Sequence, residues 1–267
     1  MAVLVIVTIT ITRLIVKSTF ILYYFHVTDT VNPRKPYDPG EFPPFAVTVD
    51  IAIFTIIDEE FSLLLIQRGG EPFKDAWALP GGFVQPDEDL DAAAARELSE
   101  ETAIDTASPL EQLKTYGAPK RDPRMRVVSA AYWAVVPKLG TPSAGSDARH
   151  ARFVPVREIE AGDYDLAFDH QLIVADAIER ARAKLEYSAI ATSFCDLEFT
   201  LSELRKVYET VWGVPLEPAN FARKAQQCEG FLHPLDRTIP PPSGTGRPAQ
   251  LFRVGPATEI QPPFKRY

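Results

Sequence analysis

The feature that most constrains this chain is a spaced pattern of glycine, glutamate and arginine in residues 82–101. Residues 88–102 contain four consecutive alanines and no glycine or proline, which favours a helix. On a helix, the i, i+3 and i+4 spacing of three of the glutamates places their carboxylates on one face. The fixed positions of the pattern are Gly82, Glu88, Arg96, Glu97, Leu98, Glu100 and Glu101.

Like charges on one helical face repel each other, so this helix needs a positive charge beside it. Mg²⁺ and Mn²⁺ prefer carboxylates, water and substrate phosphates as ligands. Arg96 can pair with a neighbouring carboxylate and hold its rotamer, and Gly81-Gly82 permits a tight backbone loop before the helix. We therefore predict a divalent-cation site here. A merely solvated acidic face would not require the distant Gly82 and Glu88.

Hydrophobic patterning predicts strands around this helix. The segments FAVTVDIAIFTI, FSLLLIQR and VVSAAYWAVV are rich in β-branched and apolar residues, and WALPGGFV and ARFVPV are shorter candidates. From about residue 168 to 187 the apolar residues recur with helical period. Strands around one acidic helix, with a further helix behind them, predict an α/β sandwich.

The pattern changes near residue 195. Thr200 and Glu203 are spaced as a capping box at the start of an amphipathic helix that ends at Gly213. After a Gly/Pro turn, ANFARKAQQC predicts a second helix, and FLHPLDRTI and RPAQLFRV predict a hairpin with a long loop. Two helices followed by a hairpin indicate a winged helix-turn-helix domain.

Composition and charge narrow the class of protein. The balance of 46% hydrophobic and 24% charged residues is that of a globular protein with an ample core. Cys195 and Cys228 lack metal-site spacing, so we expect two buried free thiols in a reducing cytoplasm. Residues 197–267 carry nine Lys and Arg against seven Asp and Glu (+2), which leaves 19 against 29 (−10) elsewhere. A basic tail on an acidic body weakly favours a polyanion at the tail.

Residues 1–27 are rich in β-branched and aromatic residues. A spanning helix needs about 20 apolar residues, but Arg13 and Lys17 interrupt the run, each at about 2.5–3.5 kcal/mol in a membrane. The cations follow the first apolar run and no small-residue cleavage site is evident, which argues against a signal peptide. A membrane anchor and a packed or exchanged strand stay open. We favour a translation start that lies downstream of Met1.

At the glutamate pattern the chain resembles the Nudix family, whose motif is G-x5-E-x7-R-E-U-x-E-E-x-G-U, with U a bulky aliphatic residue. The match is complete except that Ala103 stands where the second glycine belongs. Members hydrolyse nucleoside diphosphates linked to another group, and whether Ala103 leaves hydrolysis intact stays open. The resemblance assigns Mg²⁺ or Mn²⁺ to Glu97, Glu100 and Glu101. It assigns catalysis to Glu100, Glu101, Glu88 and Arg96.

The sequence after the motif is similar to the ADP-ribose pyrophosphatases of this family. Pro119 lies 16 residues beyond position 103 within YGAPKRDPRMRVVSAAYWAVV, as in that subclass. ADP-ribose or a close relative is the ligand this implies, with arginines meeting its phosphates. We interpret His170 in AFDHQ as a packing residue rather than a base. The substrate-binding candidates are Arg68, Gly82, Pro119, Arg121, Arg124 and Arg126.

The tail resembles the NrtR-type regulators of NAD metabolism, which join a Nudix domain to a winged helix. The match runs from FTLSELRKVYETVWGVPLEPANFARKAQQCEGFL to GRPAQLFRV, and DLAFDHQLIVADAIERARAKLEY matches the connecting region. The resemblance covers about residues 43–254. It implies an N-terminal extension (1–42), a Nudix domain (43–160), a connecting helix (161–195), a winged helix (196–256) and a tail (257–267).

This resemblance also implies a homodimer that senses ADP-ribose and binds double-stranded operator DNA. A recognition helix reads the major groove, while cations of the wing touch phosphates or the minor groove. A helical docking domain is the alternative for the tail. A Mg²⁺-dependent hydrolase that yields AMP and ribose 5-phosphate is the alternative for the function. The DNA-binding candidates are Asn220, Arg223, Lys224, Arg237, Arg247 and Arg253.

Overall fold

The structure, a computed structural model, describes residues 38–104, 109–137, 142, 148–240 and 248–266. The chain divides into two compact units, Met1–Pro43 and Pro44–Tyr267. Of the first unit only a short stretch is described, with a 3-10 turn at Pro39–Glu41. The predictions for residues 1–27 lie outside the described residues. In the ranges just given, no helix is long and apolar enough to cross a membrane.

A seven-stranded mixed sheet forms the first part of the second unit, counted over the described residues. Its strand order is β3-β2-β1-β6-β5, with β4 beside β1 and β7 beside β2, and β1 runs parallel to β6. The elements are β1 (Ala46–Ile57), β2 (Glu60–Arg68), β3 (Trp77–Ala78), β4 (Gly81–Phe83), α1 (Leu90–Thr102), β5 (Glu111–Tyr116), β6 (Val127–Val135), β7 (Ala148–Pro155), α2 (Val156–Ala161) and α3 (His170–Tyr187).

Alternation along β1 separates two hydrophobic clusters on opposite faces of the sheet. Ile51 and Ile53 pack with Leu98 of α1, whereas Ala52 and Phe54 share a cluster with α3. Because successive side chains of a strand point to opposite faces, one buried strand serves both layers. The predicted α/β sandwich, with the acidic helix on one face and a further helix on the other, is confirmed.

Helix α1 begins with a capped turn and ends in a strained one. The Asp89 side chain accepts a hydrogen bond from the Ala92 amide at 2.8 Å. Ala103 ends the helix with φ +56°, and its amide donates to the Ser99 carbonyl. This left-handed conformation favours glycine, since a Cβ there approaches the backbone too closely. The departure from the Nudix motif at Ala103 therefore strains the helix end.

The second part of the unit is a winged helix. The capping box between Thr200 and Glu203 is formed, and Gly213 ends the first helix with φ +70°. The strands pair in the order β8-β10-β9. The predicted helix–turn–helix and hairpin are therefore confirmed. The elements are β8 (Phe199–Thr200), α4 (Leu201–Trp212), α5 (Pro218–Gln227), β9 (Leu232–Ile239) and β10 (Ala249–Val254).

Residues after β10 fold back over the winged helix. Phe264 is buried, with its ring centroid 5.0 Å from that of Tyr208 and 5.5 Å from that of Phe221. Arg266 pairs with Glu179 and Glu186 of α3. The tail thus contributes a buried ring and ion pairs, neither of which was predicted from its sequence. The two cysteines are free thiols, as predicted, but only Cys228 is buried and Cys195 is partly exposed.

Candidate functional site

Arg96 stands at the centre of the acidic face of α1. Its guanidinium donates to Glu88 at 2.6 and 2.9 Å, to Glu97 at 2.8 Å and to Glu100 at 3.1 Å. The hydrogen bond from Arg96 is the main reason that the pKa of Glu88 is lowered to about 2. The positive charge that the clustered carboxylates require is thus partly supplied within the motif itself.

Two glutamates of the motif, Glu97 and Glu101, are buried against the glycine loop. Burial raises the pKa of Glu97 and outweighs the opposing effect of Arg96. A Cβ on Gly82 would lie 2.3 Å from the Glu97 carboxylate, so any other residue there would force that side chain out of its present position. Glu101 accepts a hydrogen bond from the Gly81 amide at 2.8 Å. The loop and the helix are therefore built to fit each other.

The chemistry of this donor set fits a hard divalent cation, because every candidate ligand is a carboxylate oxygen. When all are ionised, Glu88, Glu97, Glu100 and Glu101 exceed the charge of Arg96 by three negative charges. Within the described ranges, no three His, Cys, Asp or Glu side chains are grouped closely enough to hold a metal ion. A bound Mg²⁺ or Mn²⁺ would have to share carboxylates with Arg96. The metal assignment stays a prediction.

A cleft of about 200 Å³ opens beside the glycine loop. It lies where the ends of β1, β2 and β4 meet the loop before β6 and the start of α3. The glycine loop and Glu101 form part of its lining, and arginines and aromatic rings form another part. The charged and aromatic residues that line it are Asp50, Arg68, Glu71, Phe83, Glu101, Arg121, Asp122, Arg124, Phe168 and His170.

A buried ion cluster forms the floor of the cleft. Arg121 donates to Asp169 at 2.7 and 3.0 Å and to Asp50 at 3.1 Å. Burial alone would raise the pKa of Asp50, but His170, a hydrogen bond from Ser129 and the charge of Arg121 lower it to about 2. His170 is buried, and its Nδ1 accepts from the Leu79 amide at 3.0 Å. The cluster joins β1 to the start of α3.

Aromatic rings and guanidinium groups alternate above this floor. The Arg68 guanidinium carbon lies 4.8 Å from the centroid of Phe168, and that of Arg124 lies 5.2 Å from Phe83 and 5.7 Å from Phe168. Phe168 adopts φ +55°, an unusual conformation for a non-glycine residue. Asp122 holds Arg124 at 2.7 Å. Flat apolar faces beside cations suit a ligand that carries both a planar base and phosphates.

The winged helix presents a second group of candidates. On α5, Asn220 and Arg223 are exposed and bonded to each other at 3.1 Å, while the Lys224 amine lies 5.9 Å from the Phe264 ring. On the wing, the exposed Arg237 and Arg253 both pair with Glu198. Arg247 lies outside the described residues.

Comparison with known proteins agrees with both parts. The NUDIX domain family matches residues 45–176, and the NrtR DNA-binding winged helix domain matches residues 192–254. The chain is 36% identical over 219 residues to the ADPR responsive transcriptional repressor NtrR of Acinetobacter baylyi, a match that covers 81% of this chain and 85% of that protein. The chain belongs to the NrtR family.

A solved structure of an NrtR protein supports this membership, and an enzyme is similar to the first part of the chain. The crystal structure of Shewanella oneidensis NrtR complexed with a 27mer DNA is 30% identical and superposes with a TM-score of 0.64, covering 82% of this chain and 99% of that one. The ADP-ribose pyrophosphatase of Methanocaldococcus jannaschii is 38% identical over 127 residues, which are 47% of this chain and 71% of that enzyme. Family membership, predicted from the two motif regions, is confirmed.

The cleft of this NrtR-family chain brings together only part of the predicted substrate set. Arg68, Gly82, Arg121 and Arg124 line it. Pro119 lies in an exposed turn, and Arg126 stacks on Phe45 at 4.8 Å and donates to the Ala118 carbonyl. The described part of the cleft lining includes neither of these two residues.

Sequence reasoning missed Asp50, Asp169, Phe83, Phe168 and Glu198. Asp50 carried a usable signal, because it is a single charge within the apolar run VTVDIAIF. A charge in a buried strand demands a partner, and its partner Arg121 was already a candidate. The other four stand in ordinary loop or strand-end sequence, so no local signal marks them.

Proposed function

We propose that this chain is a cytoplasmic, ADP-ribose-responsive transcriptional repressor that binds double-stranded DNA through its winged helix. One observation carries the proposal: a single compact unit joins a cleft of arginines and aromatic rings to a winged helix with exposed cations. The Acinetobacter relative is named for its response to ADPR, and the Shewanella relative was solved with DNA.

The cleft chemistry supports ADP-ribose as the effector. Its diphosphate would meet Arg68 and Arg124, whose guanidinium groups present several donors to phosphate oxygens. Its adenine would stack on Phe168 or Phe83, where a planar ring gains both area burial and cation contacts. Arg121 is committed to Asp50 and Asp169, so we assign it to holding the floor.

DNA would be bound by α5 and the wing. Asn220 and Arg223 would face base edges and Arg237 and Arg253 would face phosphates, as recognition helices and wings do. A homodimer would bring two winged helices to two half-sites and double the small positive charge of each tail.

Helix α3 supplies a direct connection between the two sites. At its start, Asp169 belongs to the cleft floor. Toward its other end, the Arg182 carbonyl accepts from the Trp212 indole at 3.0 Å, and the Arg182 guanidinium donates to the Val211 carbonyl. An effector that moves the start of α3 would therefore act on α4 of the winged helix through one rigid element.

The test is a fluorescence anisotropy titration of full-length protein with labelled duplexes selected by the protein from a random pool. Specific binding that ADP-ribose releases and AMP does not release is the expected result. Absence of binding even in about 50 mM KCl, where phosphate contacts are strongest, would contradict the proposal.

Hydrolysis of ADP-ribose is a second candidate function, favoured by the complete set of motif carboxylates and by Glu101 in the cleft wall. Glu97, Glu100 and Glu101 would hold a divalent cation, Mg²⁺ or Mn²⁺. When bound, the cation would orient water and neutralise charge that develops on the pyrophosphate. The products would be AMP and ribose 5-phosphate, measured by chromatography. Glu100→Gln and Glu101→Gln are expected to abolish their release, and unchanged turnover would refute the site.

A further inference from the structure

Two arginines of the wing share one carboxylate. Glu198, just before β8, accepts a hydrogen bond from Arg253 of β10 at 2.5 Å and another from Arg237 of β9. Each of its oxygens takes one guanidinium. Both positive groups are candidates for contact with DNA phosphate, so a carboxylate placed between them bears directly on that contact.

Strand register explains why these side chains meet. In the β8–β10 pair, Phe199 lies opposite Phe252, and both rings are buried. Continuing this antiparallel register by one position brings Glu198, the residue before β8, opposite Arg253 of β10. Arg237 reaches the same carboxylate from the neighbouring strand. Both arginines are therefore held by strands of the sheet, whereas Glu198 lies in the segment just before β8.

Exposure shows that the arginines remain accessible. Their side chains are 60% and 57% exposed, whereas that of Glu198 is 23% exposed. A guanidinium has five N–H donors, and Glu198 engages one Nη of each. The three groups sum to one positive charge, so Glu198 halves the charge that the wing arginines offer to a phosphate.

We propose that Glu198 is an internal competitor of DNA phosphate that sets the affinity and salt dependence of the wing. This inference rests on the proposed DNA-binding function. A phosphate that approaches Arg237 or Arg253 must displace Glu198 or be repelled by it, and either outcome weakens binding. By lowering the affinity for DNA, Glu198 would allow an effector bound in the cleft to release the complex.

The test compares Glu198→Gln with wild type as full-length proteins, on a labelled duplex that wild type selects from a random pool. At each KCl concentration between about 50 and 200 mM, we expect Glu198→Gln to bind about threefold to tenfold more tightly than wild type. The slope of log affinity against log salt concentration should become steeper by the equivalent of about one phosphate contact. Glu229→Gln, the same charge change at another exposed position of the domain, is expected to stay within about twofold of wild type.

A second pair of variants separates the competitor role from general charge. With Arg237→Ala and Arg253→Ala in place, adding Glu198→Gln is expected to change affinity by no more than the general charge effect of Glu229→Gln, about twofold, since no arginine remains to be freed. Glu198→Ala is expected to reproduce the tighter binding of the glutamine variant. Weaker or equal binding by both Glu198 variants overturns the inference while DNA binding stands. Wild type that binds no duplex overturns the proposed function and this inference together.

Discussion

The floor of the cleft and the face of the wing each hold a three-membered cluster of arginine and carboxylate groups, with different physical consequences. In the cleft, Arg121 is 4% exposed and joins two carboxylates from separate elements. In the wing, two exposed arginines share one carboxylate. Buried partners cannot be exchanged for water, whereas exposed partners can be exchanged for a ligand. We infer that the cleft pairs maintain the fold and that the wing pairs tune binding.

The largest expected effect comes from removing Arg121. Arg121→Ala leaves Asp50 and Asp169 without their buried cation, which we expect to lower the free energy of unfolding by about 3–5 kcal/mol. Urea denaturation followed by tryptophan fluorescence measures this. Arg149→Ala is the control, since Arg149 and its partner Asp75 are both about half exposed. A loss below that of the control would mean that the floor pairs do not carry the fold.

The next largest effect is expected from low pH, which should weaken the buried pairs of the cleft floor. The pKa of Asp50 is about 2 in the fold against an ordinary 3.8. Its ionised form therefore stabilises the fold above about pH 4, by about 2 kcal/mol, and this contribution is lost as the pH falls towards 2. Unfolding free energies measured across that range should fall less steeply in Asp50→Asn than in wild type. Equal slopes would remove Asp50 as the cause.

The features that could be predicted from the sequence are those whose geometry depends on residues close together along the chain. The spacing within residues 82–101 places carboxylates on one helical face, and Thr200 and Glu203 form the predicted capping box within one turn. The cleft floor could not be found this way, because Arg121 is 71 residues from Asp50 and 48 from Asp169. Strand β5 was also missed, since four of its six residues are exposed and give no apolar pattern.

Substitutions in α1 test whether Ala103, the departure from the motif, destabilises the fold through backbone strain. Ala103→Gly relieves the left-handed strain and is expected to stabilise the fold by about 1 kcal/mol. Ala95→Gly, at an exposed position inside the same helix, is expected to destabilise it by about 1 kcal/mol. Thermal unfolding of the two variants gives the comparison. Shifts of the same sign would show that backbone strain at Ala103 is not the controlling factor.

The smallest effect on stability is expected in the wing. Arg237→Ala removes an exposed ion pair and should change the free energy of unfolding by less than about 1 kcal/mol. Its effect on DNA binding should be larger, since a lost phosphate contact lowers affinity and reduces the salt slope by about one. Anisotropy titrations at several KCl concentrations, set beside urea denaturation of the same protein, measure both. If unfolding changed by as much as in Arg121→Ala, exposure would not separate fold-holding pairs from ligand-exchanging pairs, and the contrast between cleft and wing would fail.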